Sequence, residues 1–271
     1  MRLLPGTRRL SLDLWEIVLI AVLVIVAARA IQMRRDIPYS PELLWLRDAY
    51  GPDRFSQYAE EWIVRDFFQD RRDGFFVDVG AAHYRTFSNT WRLESDLGWA
   101  GIAVDAQESF RADYERYRPK TRFHTFFVND RSDEHARLFL NRRPWAASSD
   151  ESFTSRFGAV TGERQVPTIT LTDLLDQEGV TTFDFLSMDI ELAEVKALAG
   201  FDIERFKPRL VCIEGQPEIR QALLDYFARR EYVLVGKYLR LDDRNMYFMR
   251  DGEEPPPPFP DEVMERWSRQ E

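Results

Sequence analysis

Hydrophobic positions along this chain follow two different periods, which predict an alternation of helices and strands from about residue 54 onward. Helical spacing of apolar residues indicates helices, which we place at 55–68, 88–97, 110–117, 173–177, 193–198 and 218–229. Short apolar runs indicate buried strands, which we place at 75–80, 101–106, 123–128, 183–188, 210–213, 232–235 and 246–249. This alternation is typical of an α/β protein with a mostly parallel sheet.

The last two predicted strands are separated by a short connection that contains the polar turn 242–245. A parallel pair needs a longer crossover connection, so we expect this pair to be antiparallel. An NAD-dependent oxidoreductase usually continues its sheet in parallel and carries a G-x-G-x-x-G motif, which this chain lacks. The pattern therefore disfavours that class of enzyme.

The segment 142–165 has no clear hydrophobic period and contains several serines. We interpret it as a long insertion or a lid-like loop, since long loops in compact domains are often functional. We divide the chain into an N-terminal membrane anchor at 1–36, a linker at 37–53, an α/β domain at 54–250 and a Pro-rich tail at 251–271.

The N-terminal segment contains an unbroken run of twelve apolar residues, 17–28. A helix that spans a bilayer needs about 20 residues, and the wider stretch 12–31 reaches that length. We expect a single-pass anchor in contact with the membrane through 12–31. Two alternatives stay open, namely a signal peptide cleaved near Ala28-Arg29-Ala30 and a helix lying in the membrane interface. Basic residues flank both sides equally, so charge does not decide the orientation.

The formal net charge of -9 argues against a nucleic-acid partner, because phosphate binding needs a concentrated cationic face. The single cysteine, Cys212, excludes an intrachain disulfide, and its apolar neighbours favour a core position. The three histidines do not have metal-ligand spacing. We therefore assign no histidine metal site.

Acidic residues follow several of the predicted strands. Asp78 and Gly80 end the first strand in a pattern that brings backbone close to a ligand. Asp105 ends the second strand, where an acid can accept both hydroxyls of a ribose. Asp189 ends the fourth strand and is followed by Glu191. Asp189 can serve as a general base, or it can bind a divalent metal with Glu191 or Glu214. Each acid also has a plain structural interpretation, as a solvated strand end or a residue favoured at a helix N-terminus.

Two stretches resemble the FkbM-type methyltransferases. GFFVDVGAAHYRTFSNTWRLESDLGWAGIAVDA (74–106) looks like the family's opening, with its D-V-G-A loop, S-N-T step and acidic second strand. SMDIELAEVKALAGFD (187–202) is similar to the family's IDVEG-x-E-x-x-x-L-x-G segment. The resemblance extends over roughly 56–250. This chain has Ala82 where the family often has Asn, and Leu192 where it has Gly.

The resemblance implies a Rossmann-like class I methyltransferase fold with S-adenosylmethionine as cofactor. By the same resemblance Asp78, Gly80 and Ala81 line the methionine end, Asp105 and Ala106 the ribose, and Asn129 and Asp130 the adenine. Asp189 borders the transferred methyl group, and we take Asp189 and Glu191 as the catalytic pair.

The resemblance together with the predicted anchor leads us to expect O-methylation of a glycan, a lipid-linked molecule or another small molecule. The expectation that this acceptor lies near a membrane rests on the anchor alone. S-adenosylmethionine is cytosolic, so an active domain must face the cytoplasm, and a cleaved signal peptide would contradict catalysis. The alternative is a non-catalytic, membrane-anchored adaptor that retains the fold, since such proteins carry the same S-N-T variant.

Overall fold

A seven-stranded sheet forms the centre of the protein, whose residues 40–267 are described by a computed structural model. The strands are β1 (Phe75–Val79), β2 (Ala100–Asp105), β3 (Thr121–Thr125), β4 (Phe127–Val128), β5 (His135–Asn141), β6 (Val160–Ile169), β7 (Phe185–Met188), β8 (Leu210–Glu214), β9 (Tyr232–Leu234) and β10 (Asn245–Arg250). The helices are α1 (Pro41–Tyr50), α2 (Glu60–Phe68), α3 (Trp91–Ser95), α4 (Arg111–Tyr117), α5 (Glu151–Arg156), α6 (Leu171–Gln177), α7 (Glu194–Ala199), α8 (Ile203–Phe206), α9 (Arg220–Ala228) and α10 (Asp261–Trp267).

The strand order in the large sheet is β3-β2-β1-β7-β8-β10-β9. Strands β3, β2, β1, β7 and β8 are parallel, whereas β10 is antiparallel to both β8 and β9. The predicted mostly parallel sheet with an antiparallel C-terminal pair is therefore confirmed. The chain moves outward from β1 to β3 and later returns beside β1 as β7, so a crevice opens between the carboxyl ends of β1 and β7, where open α/β sheets bind ligands.

The parallel strands are buried on both faces because successive side chains point to opposite sides of a sheet. Val77 packs with one apolar cluster and its neighbour Phe76 packs with another on the opposite face. Cys212 is buried in the second cluster beside Tyr247, in the core position that its sequence favours.

Helix starts differ from the predicted ones where side chains before the helix make tertiary contacts. The predicted helix 88–97 is reduced to α3, because Asn89 donates a hydrogen bond to Ser187 Oγ and Thr90 donates to Asp78. Helix α6 begins at Leu171 rather than at the predicted residue 173, and Thr170 caps it with a hydroxyl that accepts from the backbone of Asp173.

The segment 142–165, which we interpret as a long insertion or a lid-like loop, contains regular structure. Strands β4, β6 and β5 form a second, three-stranded sheet in which β5 and β6 are antiparallel. Helix α5 lies in the connection between β5 and β6, and Asp150 caps it by accepting from Phe153 N. Most side chains of β6 are exposed and polar, so the strand leaves no alternating hydrophobic pattern. The predicted strand 123–128 forms two strands, β3 in the large sheet and β4 in the second sheet.

Helix α1 lies within the segment that we interpret as a linker, and it packs on the domain. Leu46 is fully buried in the second apolar cluster. Trp45 meets Phe259 edge to face, with 5.5 Å between the ring centroids. Within residues 40–267, no helix is long and apolar enough to cross a membrane. The predicted anchor at 12–31 lies outside the described residues.

Candidate active site

A cavity of about 520 Å³ lies at the carboxyl ends of the parallel strands. This volume is within the range of about 300–1,000 Å³ that is usual for ligand pockets. Its wall includes Gly80 after β1, Asp105 at the end of β2, Asp189 after β7 and Glu214 at the end of β8. The topology thus joins in one cavity four positions that are far apart in the sequence.

The turn after β1 is shaped by the neighbouring strand. Gly80 has a φ of 83°, and a Cβ at this position would lie 1.8 Å from the backbone oxygen of Asp189. Only glycine fits, since any side chain would collide with the end of β7. The glycine therefore allows two loops of the cavity wall to pack together, in addition to lining the cavity itself.

Asp105 is held rigidly at the cavity wall. Its Oδ2 accepts a hydrogen bond from Ala82 N at 3.0 Å, and its Oδ1 accepts from Gln107 N at 2.8 Å. Burial raises the pKa of this carboxyl to about 6, against the opposing effect of the two backbone donors. Each carboxylate oxygen can accept a further hydrogen bond. Asp105 can therefore accept hydrogen bonds from two ligand hydroxyls and keep those from the backbone of Ala82 and Gln107.

Asp78 serves the framework of the site. It is buried, and its Oδ2 accepts from Thr90 Oγ1 at 2.7 Å. Burial raises the pKa of Asp78, whereas the positive charge of Arg118 lowers it. Arg118 is itself fully buried and paired with Glu94 at 2.5 Å. The sequence predicts that Asp78 contacts the cofactor. In the described part of the chain, however, Asp78 is not among the residues that line the cavity.

Three other predicted cofactor residues also lie away from the described cavity wall, while Gly80, Asp105 and Ala106 line it. Ala81 is buried, and its carbonyl accepts from Tyr114 Oη at 3.1 Å. Asn129 N donates to Ile169 O at 2.9 Å. Asp130 lies 3.8 Å from Lys196 Nζ.

Four carboxylates collect at the opposite side of the cavity. Asp189, Glu194 and Glu214 each have a ligand oxygen within 4.8 Å of those of the other two. Burial and the charge of Glu214 raise the pKa of Asp189. The same two causes raise the pKa of Glu191 to about 9. Gln216 Nε2 joins Glu214 and Glu191 by donating to them at 2.9 and 3.4 Å. The predicted catalytic pair, Asp189 and Glu191, is therefore brought together at the cavity, with two further acids.

Several cavity residues were missed in the sequence. Trp145, Phe153 and Phe157 come from the segment 142–165 and form part of the wall. Trp145 and Phe157 meet edge to face, with 5.1 Å between the ring centroids. The sequence feature that could have indicated these cavity residues is the cluster of aromatic side chains within a serine-rich stretch. Arg156 and Arg244 add positive charge to the same wall, and no local pattern marked either of them.

Residues 78–234 match the Methyltransferase FkbM domain. No curated protein matches the chain. Among solved structures, a TehB-like SAM-dependent methyltransferase from Corynebacterium glutamicum is 13% identical with a TM-score of 0.40, covering 72% of this chain and 89% of its own. Methyltransferase FkbM from Methylobacillus flagellatus is 14% identical with a TM-score of 0.39, covering 66% of this chain and 44% of its own. Since the matched domain spans more than half of the 271 residues, this chain belongs to the FkbM methyltransferase family.

Proposed function

We propose that this protein transfers the methyl group of S-adenosylmethionine to an oxygen atom of an acceptor bound beside Asp189. The observation that carries the proposal is a single cavity with Asp105 on one wall and Asp189 on another. The first acid suits a nucleoside, and the second suits an acceptor hydroxyl. Membership of a methyltransferase family gives the reaction class.

The acceptor oxygens and apolar side chains of the cavity fit the cofactor. Asp105 retains accepting capacity on both oxygens, as two ribose hydroxyls require. Phe110 and Phe127 supply apolar wall close by, which suits a purine ring. The cofactor supplies a methyl group that is already electrophilic on its sulfonium. The protein therefore needs mainly to align the two reactants and to exclude water.

Asp189 and the neighbouring Glu191 are the candidates for the general base. Because burial and neighbouring acids raise the pKa values of Asp189 and Glu191, their ionised forms are stronger bases than an exposed carboxylate. A general base is most effective when its pKa lies near the working pH. In the proposed reaction one of these carboxylates accepts the proton of the acceptor hydroxyl as its oxygen attacks the methyl group.

The aromatic and charged residues of the cavity suit a glycan, a lipid-linked molecule or another small molecule as acceptor. Trp145, Phe153 and Phe157 offer flat apolar faces. Arg156 and Arg244 provide charge for an anionic substituent. A tether at 12–31 would hold the enzyme beside such a substrate at a membrane. The cytosolic cofactor then requires the domain to face the cytoplasm, and this orientation is part of the proposal.

The first prediction concerns cofactor binding by the full-length protein. Calorimetric titration with S-adenosylmethionine is expected to show one site, and Asp105→Ala is expected to weaken binding by about tenfold or more. A lost hydrogen bond to a charged group costs about 1.5–3 kcal/mol. Asp130→Ala is the matched control, because Asp130 lies outside the described cavity wall, and its affinity should remain that of the wild type.

Absence of binding by a folded protein would contradict the enzyme and favour the non-catalytic adaptor. Equal losses in Asp105→Ala and Asp130→Ala would contradict the assigned ribose site. With methyl-labelled cofactor and membrane or glycan extracts, the label is expected on oxygen. A product labelled on nitrogen or sulfur would refute O-methylation while leaving methyl transfer intact.

A further inference from the structure

Three carboxylates around Asp189 come from three separate elements. Asp189 follows β7, Glu194 begins α7 and Glu214 ends β8. One oxygen of each lies within 4.8 Å of one oxygen of each of the others. Three negatively charged groups at this separation repel one another strongly unless a proton or a cation lies between them.

Two oxygens of this cluster are buried without a hydrogen-bond partner. Glu194 is fully buried. Its Oε1 accepts from Ile190 N at 2.9 Å, whereas its Oε2 has no partner. Oδ1 of Asp189 is also buried and unpartnered. A buried polar atom without a partner is costly, and these two atoms belong to the same three-carboxylate group.

Some other buried acids of this protein are compensated by side-chain cations. Glu94 pairs with Arg118 at 2.5 Å, and Asp66 pairs with Lys237 at 2.6 Å. Within the described part of the chain, no Lys, Arg or His forms a salt bridge with Asp189, Glu194 or Glu214. Burial raises the pKa of Glu214, and the charge of Arg244 opposes this rise together with hydrogen bonds that involve Gln216 and Asp189. The cluster is therefore acidic without a matching protein cation in contact.

We propose that Asp189, Glu194 and Glu214 bind one hard divalent cation, of the Mg²⁺ or Mn²⁺ type. The ligands are all carboxylate oxygens, which such ions prefer to nitrogen or sulfur. Asp189 and Glu214 line the cavity, so a cation held by them is accessible to a bound acceptor. It would also give the unpartnered oxygens of Glu194 and Asp189 a partner.

The role of the cation in catalysis rests on the proposed function, whereas its binding does not. A cation at this position is placed to coordinate an acceptor hydroxyl and to lower its pKa. Glu191 lines the cavity outside the three-carboxylate group. With the metal bound, Glu191 is the carboxylate that receives the hydroxyl proton, as the new carbon–oxygen bond forms and the carbon–sulfur bond of the cofactor breaks.

The test is Mn²⁺ binding to the full-length protein, measured by electron paramagnetic resonance. One bound ion per chain is expected, with Asp189→Asn and Glu194→Gln each weakening affinity at least tenfold. Glu218→Gln is the matched control, because it makes the same charge change on an exposed side chain paired with Arg156, and it should bind as the wild type does.

Thermal melting separates loss of the site from loss of the fold. Without metal, Glu194→Gln is expected to melt at or above the wild-type temperature, because it removes an uncompensated buried charge. Mg²⁺ should raise the melting temperature of the wild type and not that of Glu194→Gln. Absence of Mn²⁺ binding, or equal binding by wild type and both cluster variants, would overturn the proposal.

Cofactor titration in the presence of a chelator distinguishes the two proposals. If S-adenosylmethionine binds and Mn²⁺ does not, the metal site is wrong and the methyltransferase stands. If Mn²⁺ binds and S-adenosylmethionine does not, the metal site stands and the proposed function is wrong.

Discussion

Two residues in the loops that follow β1 and β7 have backbone angles that their side chains disfavour. Ala82 has a φ of 45° and Leu192 has a φ of 76°. Both lie where the sequence departs from the family pattern, with Ala in place of Asn and Leu in place of Gly. Asn and Gly adopt the left-handed region more readily than Ala or Leu. Ala82 and Leu192 therefore adopt a conformation that Asn or Gly would adopt at lower cost.

At Ala82 this conformation gives a stability prediction. Ala82→Gly is expected to raise the free energy of unfolding by about 0.5–1 kcal/mol, because relief of left-handed strain outweighs the entropy gained by the unfolded chain. Urea denaturation measures the change. Ala81→Gly is the control, since Ala81 is buried and has no positive φ, and it should lower stability. Destabilisation of similar size in both variants would show that the angle at Ala82 carries no strain.

At the scale of elements, α1 belongs to the folded domain. Leu46 lies fully buried with Trp62 and Tyr238 in one apolar cluster. Tyr50 Oη donates to Asp66, whose other oxygen accepts from Tyr238 Oη. These contacts connect α1 with α2 and with the segment before β10. Helix α1 therefore stabilises the sheet from outside the region that the family match covers.

The contribution of α1 is measurable with one substitution. Leu46→Ala is expected to lower the free energy of unfolding by about 2–5 kcal/mol, the usual range for a buried leucine. Chemical denaturation of the full-length protein checks this value. Leu239→Ala makes the same change at a side chain that is 59% exposed and should stay within about 0.5 kcal/mol of the wild type. If Leu46→Ala and Leu239→Ala changed the free energy of unfolding equally, the packing of α1 would not contribute to the stability of the domain.

At the scale of the whole molecule, buried acids make stability depend on pH. Burial and the charge of Asp242 raise the pKa of Glu60 to about 7. Between the unfolded value of about 4.3 and this folded value, the folded state binds more protons than the unfolded state. Stability therefore falls as pH rises through this window, and the loss is complete above about pH 7.

Replacing Glu60 shows how much of the pH dependence of the unfolding free energy comes from this residue. From pH 5 to pH 8 the wild type is expected to lose up to about 3 kcal/mol more unfolding free energy than Glu60→Gln. Urea denaturation at the two pH values measures the difference. Buried acids that do not interact with Glu60 act equally in both proteins and cancel. Glu115→Gln, at an exposed position, should keep the wild-type dependence, and equal slopes for wild type and Glu60→Gln would contradict the assignment.

The sequence by itself determined the large sheet, because its buried strands are short continuous apolar runs and the close spacing of the last two requires antiparallel pairing. It also indicated Gly80, Asp105 and Asp189, since acids and glycines at strand ends meet at one edge of a parallel sheet. We did not predict the second sheet because β6 is largely exposed and polar. Its sequence therefore shows no alternation of apolar and polar residues.

Tertiary structure alone decided what each acid contacts. Asp78 and Asp105 look alike in the sequence, but Asp78 is enclosed by Thr90 and the charge of Arg118, whereas Asp105 reaches the cavity. Glu194 resembles an ordinary helix-start residue until β8 brings Glu214 beside it. Local patterns record which residues are buried or end a strand. The partners of a buried charge depend on how distant segments pack, which no local pattern records.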